Sequence, residues 1–367
     1  MNGQIYRLPQ GGRIDRSKPL GFTFNGRRYG GYQGDTLASA LLANGVTLIG
    51  RSFKYHRPRG LMSAGAEEPN GLVQLGVGAH TEPNVRATMA ELYEGLAASS
   101  QNCWPTVEHD LGAINSWLSR LFPAGFYYKT FMWPPSFWMR YEVFIRRMAG
   151  LGKAPSEADP DHYDKTHAHC DVLIVGGGPA GLSAALAAGR SGARVILCDE
   201  QAELGGALLG APDTIDGQPS ADWIAAVQAE LSALPDVRVL PRTTAFGYYD
   251  HNYVLLAERV GEHLPPGQAP YKQRLWKVRA RQVVLATGAI ERPLVFADND
   301  RPGIMLASAA RTYANRYAVV PGKRVVLMTN NDSAYLAATD LAAAGVSVAA
   351  IIDLRAAPLG DLPSAAR

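Results

Sequence analysis

The stretch that most constrains this chain is residues 170–201, CDVLIVGGGPAGLSAALAAGRSGARVILCDEQ. Val172, Leu173, Ile174 and Val175 form a short, wholly apolar run of the kind buried on both faces of a parallel sheet. It runs into a turn in which Gly176, Gly178 and Gly181 fit G-x-G-x-x-G. The first glycine permits the tight turn, the second lets a pyrophosphate approach the backbone, and the third lets helix pack on strand. An Ala-rich helix is expected over residues 180–190, its N–H groups and positive dipole end aimed at the phosphates, with Gly189 and Gly192 closing it. A second strand over residues 194–198 delivers Asp199 and Glu200 where a carboxylate accepts from a ribose 2′-hydroxyl. Counted from Gly176, Asp199 is the better placed. An acid there disfavours a 2′-phosphate, which selects NAD or FAD over NADP.

At 367 residues the chain is long enough for two or three domains, and its net charge of only +3 gives no reason to expect nucleic acid or an anionic membrane as partner. The cysteines Cys103, Cys170 and Cys198 have no paired spacing, so neither a disulfide framework nor a metal knuckle is expected. The N-terminus lacks a signal-peptide core, and no stretch reaches the roughly 18 apolar residues a membrane helix needs. A cytoplasmic protein with no metal site is expected.

Residues 1–19 are Gly, Arg and Pro rich without periodicity and read as an extended or disordered arm. LGFTFNGRRY, residues 20–29, alternates around Asn25-Gly26, a strong hairpin signal. Gly34, Asp35 and Thr36 then cap a helix over residues 37–44 that ends at Gly45. Hairpin followed by helix begins a β-grasp, ferredoxin-like module. Plant-type [2Fe–2S] proteins carry C-x₄-C-x₂-C and a later fourth cysteine. In the loop GLMSAGAEEPNGLV that register falls on Ser63, Glu68 and Gly71, with Thr88 fourth, so the module is expected to hold no cluster.

RSFKYHRPR, residues 51–59, concentrates positive charge with two aromatics. It reads either as a phosphate or nucleic-acid patch or as a solvated basic edge that meets an acidic surface. Residues 103–152 hold Trp104, Trp117, Trp133 and Trp138 and the run FYYKTFMWPP, residues 126–135. This segment reads as a connecting core or as a surface covered by another protein chain. KAPSEADPDHYD, residues 153–164, reads as a linker, and His167 and His169 as solvated histidines, because H-x-H-C matches no standard zinc spacing.

Past Gln201, Gly205 and Gly206 allow backbone to pass close to the nucleotide. A helix over 221–234 and a strand over 237–240 lead to Thr243, Thr244 and Ala245. In flavoproteins with two dinucleotide folds the loop after this strand touches the adenine through backbone atoms, which makes Ala245 the candidate. A β-meander over 248–278 and an apolar strand ending in Ala286-Thr287-Gly288 resemble that class further. A second unit follows: strand 323–328, helix 333–344 and strand 346–352 ending at Asp353, with Thr329, Asn330 and Asn331 where glycines would lie. This second nucleotide fold is therefore expected to be degenerate and incomplete, the rest supplied by a longer chain or by a partner chain.

The fold expected is α/β: an N-terminal cluster-free β-grasp module followed by a Rossmann fold of the two-dinucleotide-domain flavoprotein type. Its divisions are an arm at 1–19, the module at 20–100, an aromatic connection at 101–165, the first dinucleotide-binding domain at 166–292 and a partial second one at 293–367.

The segments RSFKYHRPRGLMSAGAEEPN, QNCWPTVEHDLGAIN, AGFYYKTFMWPP, AHCDVLIVGGGPAGLSAALAA and ILCDEQAELGGALL together resemble the alpha subunits of the heterotetrameric sarcosine oxidase family, over essentially the whole chain. The resemblance implies a subunit of an amine-oxidising complex with beta, gamma and delta partners. That complex converts sarcosine and oxygen to glycine, hydrogen peroxide and a one-carbon unit. It implies NAD in this chain, FAD and the amine chemistry on beta, FMN at the alpha–beta interface attached to beta, and tetrahydrofolate only through a C-terminal domain absent here. Carried over by position, the NAD contacts are Ala180, Asp199, Glu200, Gln201 and Ala207, the last through backbone or van der Waals contact. No catalytic acid, base or nucleophile stands out in this chain. The other readings are an FAD-binding subunit of a related opine or amine dehydrogenase or of hydrogen cyanide synthase, and a scaffold whose nucleotide is structural.

Overall fold

The computed structural model describes residues 3–121, 125, 133–149, 152–356, 358 and 360–365. Alternating side chains on either side of Asn25-Gly26 build a hairpin, Asp15–Phe24 against Arg27–Gln33. Both turn residues have positive φ, 50° and 76°, the backbone that a tight hairpin with right-handed strand twist requires. The first strand begins at Asp15, inside the span read as an arm, because antiparallel pairing with Gln33 extends the hairpin past its alternating core. Strands Ala97–Ser100, Leu72–Leu75 and Glu82–Arg86 complete a five-stranded sheet.

The helix Leu37–Ala43 lies against this sheet with all seven residues buried. Its N-terminus is a reciprocal box in which Thr36 Oγ1 accepts from Ser39 N–H and Ser39 Oγ accepts from Thr36 N–H. Asp35 does not cap the helix directly. It accepts from Arg7 at 2.6 and 3.0 Å, from Tyr32 N–H and from Ser39 Oγ. Arg7 also donates to the Tyr317 carbonyl, so the N-terminal segment is ordered by a buried ion pair rather than left loose.

The nucleotide fold is a six-stranded sheet in the order Val237–Leu240, Val195–Cys198, Tyr163–Val175, Gln273–Leu285, Tyr253–Arg259, Thr243–Tyr249. The first four run parallel and the last two form an antiparallel meander. Tyr163–Val175 is longer than the apolar run because residues 167–170 already alternate: His167 and His169 face out while Ala168 and Cys170 face in. Burial raises the Cys170 thiol to about 11 and the Cys198 thiol to about 12, so both stay protonated in the sheet. Helices Pro179–Arg190 and Ser220–Ala233 pack over Ile174, Val195 and Leu197 through Leu182, Ala185, Ile224, Val227 and Leu231.

A helix that the chain's motifs did not mark, Ala307–Tyr317, joins the two parts. Ala309, Tyr313 and Tyr317 are buried in the same core as Phe22, Phe24 and Leu41 of the module. Ala310 and Ala314, on another side, pack with Leu341 of the helix Ser333–Ala343. That helix covers the parallel pair Arg324–Thr329 and Ser347–Asp353. No helix among the described residues is long and apolar enough to cross a membrane.

Of the aromatic segment, residues 126–132 lie outside the described residues, while Trp104, Trp117 and Trp133 are exposed. These three tryptophans thus lie at the surface, while Val107 of the same segment is buried and Trp138 half-buried. The basic stretch is partly neutralised within the chain: Arg57 and Arg59 meet Asp300 at 2.7 and 2.5 Å, and Arg51 donates to the carbonyls of His56, Val107 and Glu108.

Candidate functional site: a dinucleotide turn

The apolar strand ends at Val175, and Gly176 turns the chain with φ 107°. A side chain at Gly176 would come within 2.3 Å of the Ala286 carbonyl oxygen, and one at Gly181 within 1.8 Å of the Gly176 oxygen. Those two glycines are required by packing alone. Gly178 differs: a Cβ there would meet only Gly206 Cα, at 3.9 Å, so the room in front of it belongs to no part of the described chain. The helix Pro179–Arg190 starts directly behind, with Pro179 in the first turn and no side chain capping its N–H groups.

Asp199 stands at the end of the neighbouring strand. Its Oδ2 accepts from Gly177 N–H at 2.6 Å and its Oδ1 from Gln201 N–H at 2.7 Å. The carboxylate thus braces the glycine turn, and each oxygen keeps a further lone pair for a hydroxyl donor. Burial raises its pKa, opposed by those two N–H bonds and by Arg316. Glu200 is also raised, by burial first and then by the charges of Asp199 and Glu67. Two adjacent acids in a desolvated place repel a phosphate and suit a diol.

The loop after Gln201 folds back over the turn. Gly205 adopts φ 136° and donates its N–H to the Gly177 carbonyl at 2.8 Å, while Gly206, at φ 54°, lies so near that a Cβ on it would be 2.9 Å from Gly178 Cα. Gly176, Gly178, Gly181, Asp199, Glu200, Gln201, Gly205 and Gly206 are therefore one constellation. Ala180 is exposed in the first turn of the helix and Ala207 is exposed at the start of the short helical turn Gly206–Gly210. Ala245 lies within the strand Thr243–Tyr249, paired with Leu256, and its side chain packs on the sheet core. Any contact it makes with a ligand is a backbone one.

Sequence reasoning missed the arginines that fix the rim. Arg316 donates to Gln201 Oε1, and Arg259 donates to the Glu200 carbonyl at 2.6 Å and to the Met89 carbonyl at 2.8 Å. Arg242 makes a two-pronged pair with Glu91 of the module, both bonds 2.7 Å. A crevice of about 620 Å³ runs between module and nucleotide fold beside this rim, lined in part by Gln201, Glu203, Arg242, Arg316 and Tyr317. None of the turn glycines lines it. The only sequence signal for Arg316 was the apolar spacing of residues 309, 310, 313, 314 and 317 around it.

In the second unit, the place corresponding to the glycine turn carries Asn331, whose Oδ1 accepts from Ser333 N–H and Ser333 Oγ. Asp353 is held by Arg355, which keeps it well below the usual carboxylate range, and accepts from the Tyr335 hydroxyl. Asn331 and Asp353 are thus both partnered within the second unit.

Comparison with known proteins agrees with this architecture. A protein-family profile described as 2Fe-2S iron-sulfur cluster binding domain matches residues 17–103, and one described as FAD dependent oxidoreductase matches residues 171–282. The chain is 57% identical over 365 residues to the sarcosine oxidase alpha subunit of Rhizobium meliloti (strain 1021), covering 99% of this chain and 37% of that one. The chain belongs to the sarcosine oxidase alpha-subunit family. A second relative of the same name, from Corynebacterium sp. (strain P-1), is 44% identical over 95% of this chain and 32% of its own length. The chain thus spans about a third of the curated alpha subunits it matches. More distantly, one of the opine oxidase subunits of Agrobacterium tumefaciens (strain Ach5) is 32% identical over 51% of this chain and 37% of its own length. Among solved structures, L-proline dehydrogenase from P.horikoshii superposes with a TM-score of 0.62 at 21% identity, covering 96% of this chain and 57% of that one, a likeness of fold.

The residues fit an ADP-containing dinucleotide. The open space at Gly178, the uncapped helix behind it and the acid at the adjacent strand end correspond to pyrophosphate and ribose. NAD and FAD share that half.

Proposed function

We propose that this chain is the dinucleotide-holding part of a sarcosine oxidase alpha subunit, with NAD in the glycine turn and amine oxidation on a partner beta subunit. The observation that carries the reading is the space before Gly178, roofed by Gly205 and Gly206 and flanked by Asp199. In this reading the backbone from Gly178 to Gly181 cradles the pyrophosphate and Ala180 contributes its N–H. Asp199, already held by two N–H groups, accepts from the adenosine ribose, with Glu200 and Gln201 beside it. Ala207 and Ala245 touch the nucleotide by backbone or van der Waals contact. NAD supplies hydride chemistry where a reductant or oxidant reaches it, and this chain's residues bind and orient it.

The boundaries 1–19, 20–100, 101–165, 166–292 and 293–367 remain our partition of the chain. The complex would contain beta, gamma and delta subunits, FAD and FMN mainly on beta, and tetrahydrofolate bound outside residues 1–367. It would act in the cytoplasm, oxidising sarcosine to glycine with peroxide and a one-carbon unit. The exposed Trp104, Trp117 and Trp133 suit burial against such a partner.

A second reading is FAD in the same turn. It draws on the flavin-dependent description of the profile over residues 171–282 and on the antiparallel meander appended to the parallel strands. The two are separated by purifying the chain, denaturing it and identifying the released nucleotide. NAD is the expected product; FAD would replace the first reading with the second, and an empty protein that also fails to bind either dinucleotide would sink both.

A further inference from the structure

The loop at residues 60–71 is where a plant-type ferredoxin presents its cluster thiolates, and the profile matched over residues 17–103 is described as cluster binding. The ferredoxin register puts the four ligand places on Ser63, Glu68, Gly71 and Thr88. The fold gathers these positions. Ser63, Glu68 and Thr88 are at most 3% exposed, Ala87 donates its N–H to the Gly71 carbonyl at 2.9 Å, and Thr88 Oγ1 donates to the Gly65 carbonyl at 2.7 Å. The side chains offer two hydroxyls and one carboxylate. None of the chain's three cysteines is among them. A cluster held by thiolates does not fit this set.

What occupies the loop is the carboxylate of Glu68. Its Oε2 accepts from the N–H groups of Met62 at 2.9 Å and Ser63 at 2.6 Å, and its Oε1 from those of Asn70 at 2.7 Å and Gly71 at 2.8 Å. Four N–H groups converging from both arms of one loop onto a buried negative group form an anion nest. The space is also used up: a side chain at Gly71 would start 3.3 Å from Glu68 Cγ and 2.9 Å from Leu61 Cδ2.

We propose that the Glu68 carboxylate is a built-in anion that stands where a ferredoxin's cluster would stand, holding the loop closed without iron. The loop then has a different task. Its outward carbonyls receive the joining helix: Leu306 N–H donates to the Met62 carbonyl at 2.8 Å and the Tyr313 hydroxyl to the Ser63 carbonyl at 2.9 Å. With Glu68 seated, both carbonyls are fixed for that helix, so the loop is a latch between the module and the joining helix and carries no electrons. The Ser63 hydroxyl, buried without a hydrogen-bond partner among the described residues, is a bystander in this arrangement.

Two measurements test this. The purified chain, incubated anaerobically with ferrous iron and sulfide and then desalted, should retain neither iron nor acid-labile sulfide and show no thiolate-to-iron absorption. Two irons and two sulfides per chain would overturn the proposal. Separately, Glu68→Gln keeps the side chain's shape but turns an amide NH₂ toward N–H donors. Hydrogen exchange at Met62, Ser63, Asn70, Gly71 and Leu306 should quicken by about tenfold or more, with the strand Val195–Cys198 unchanged and Ser63→Ala without effect. Wild-type protection at those five amides in a folded Glu68→Gln protein would equally overturn it.

Discussion

Gly178 and Gly181 sit three residues apart in one motif, yet they are glycine for different reasons. At Gly181 an added methyl runs into the Gly176 carbonyl, and the conflict is with backbone that cannot move without opening the turn. Gly181→Ala should therefore destabilise the fold by about 3 kcal/mol, read as a lowered Tm whether or not nucleotide is present. At Gly178 the methyl enters open space. Gly178→Ala should leave the ligand-free Tm within error and weaken dinucleotide binding by roughly tenfold or more, since about 1.4 kcal/mol of crowding is enough for that. Equal effects of the two substitutions on stability would show that the room before Gly178 is not a ligand's. The motif itself was legible in the sequence because its glycines, helix and acid are consecutive and local. What was not legible was that Asp199 spends two of its acceptor positions on Gly177 and Gln201.

At the scale of the element, short-range rules served well wherever partners are near in sequence. The helices Leu37–Ala43, stopped at Gly45, and Ser333–Ala343 lie within a residue of their expected bounds, and the hairpin turns at Asn25-Gly26 as expected although its strands run on to Asp15 and Gln33. The N-terminal segment is the counter-example. Nothing near residue 7 in sequence says that Arg7 is buried, because Asp35 and Tyr317 are brought to it only by the fold. Arg7→Met should cost about 3 kcal/mol, the low end for stranding a buried carboxylate, because Tyr32 N–H and Ser39 Oγ still donate to Asp35. Urea denaturation would measure it, and a loss below about 0.5 kcal/mol would mean that the pair contributes nothing net. The joining helix Ala307–Tyr317 went unseen for a related reason: it is read as amphipathic only once it is known that two different cores claim its two sides.

Over the whole molecule, module and nucleotide fold are tied by contacts between residues far apart in the chain. The Arg242–Glu91 pair crosses between them directly, the Arg13–Glu203 pair ties the N-terminal segment to the nucleotide fold, and the Arg57 and Arg59 contacts with Asp300 and the bond from Tyr313 to the Ser63 carbonyl tie the module to the chain beyond residue 292. Glu91→Gln should lower stability by about 1 kcal/mol, since the pair keeps some contact with solvent. Its larger effect should be on coupling: module amides such as those of Leu72–Leu75 should exchange more independently of the strand Val195–Cys198. Unchanged relative exchange would place the coupling in the joining helix instead.

The sequence by itself determined the glycine turn, its acid, the hairpin and helix of the module and the absence of thiols from the cluster register, because each of these rests on residues that are neighbours along the chain. Tertiary structure alone decided that Glu68 fills the loop those thiols would have lined, that Arg7 and Arg316 are buried, and that one helix belongs to two cores. The physical reason is common to all three. Burial of a charge is tolerable only where several partners converge on it, and that convergence is a property of the packed chain rather than of any segment of it.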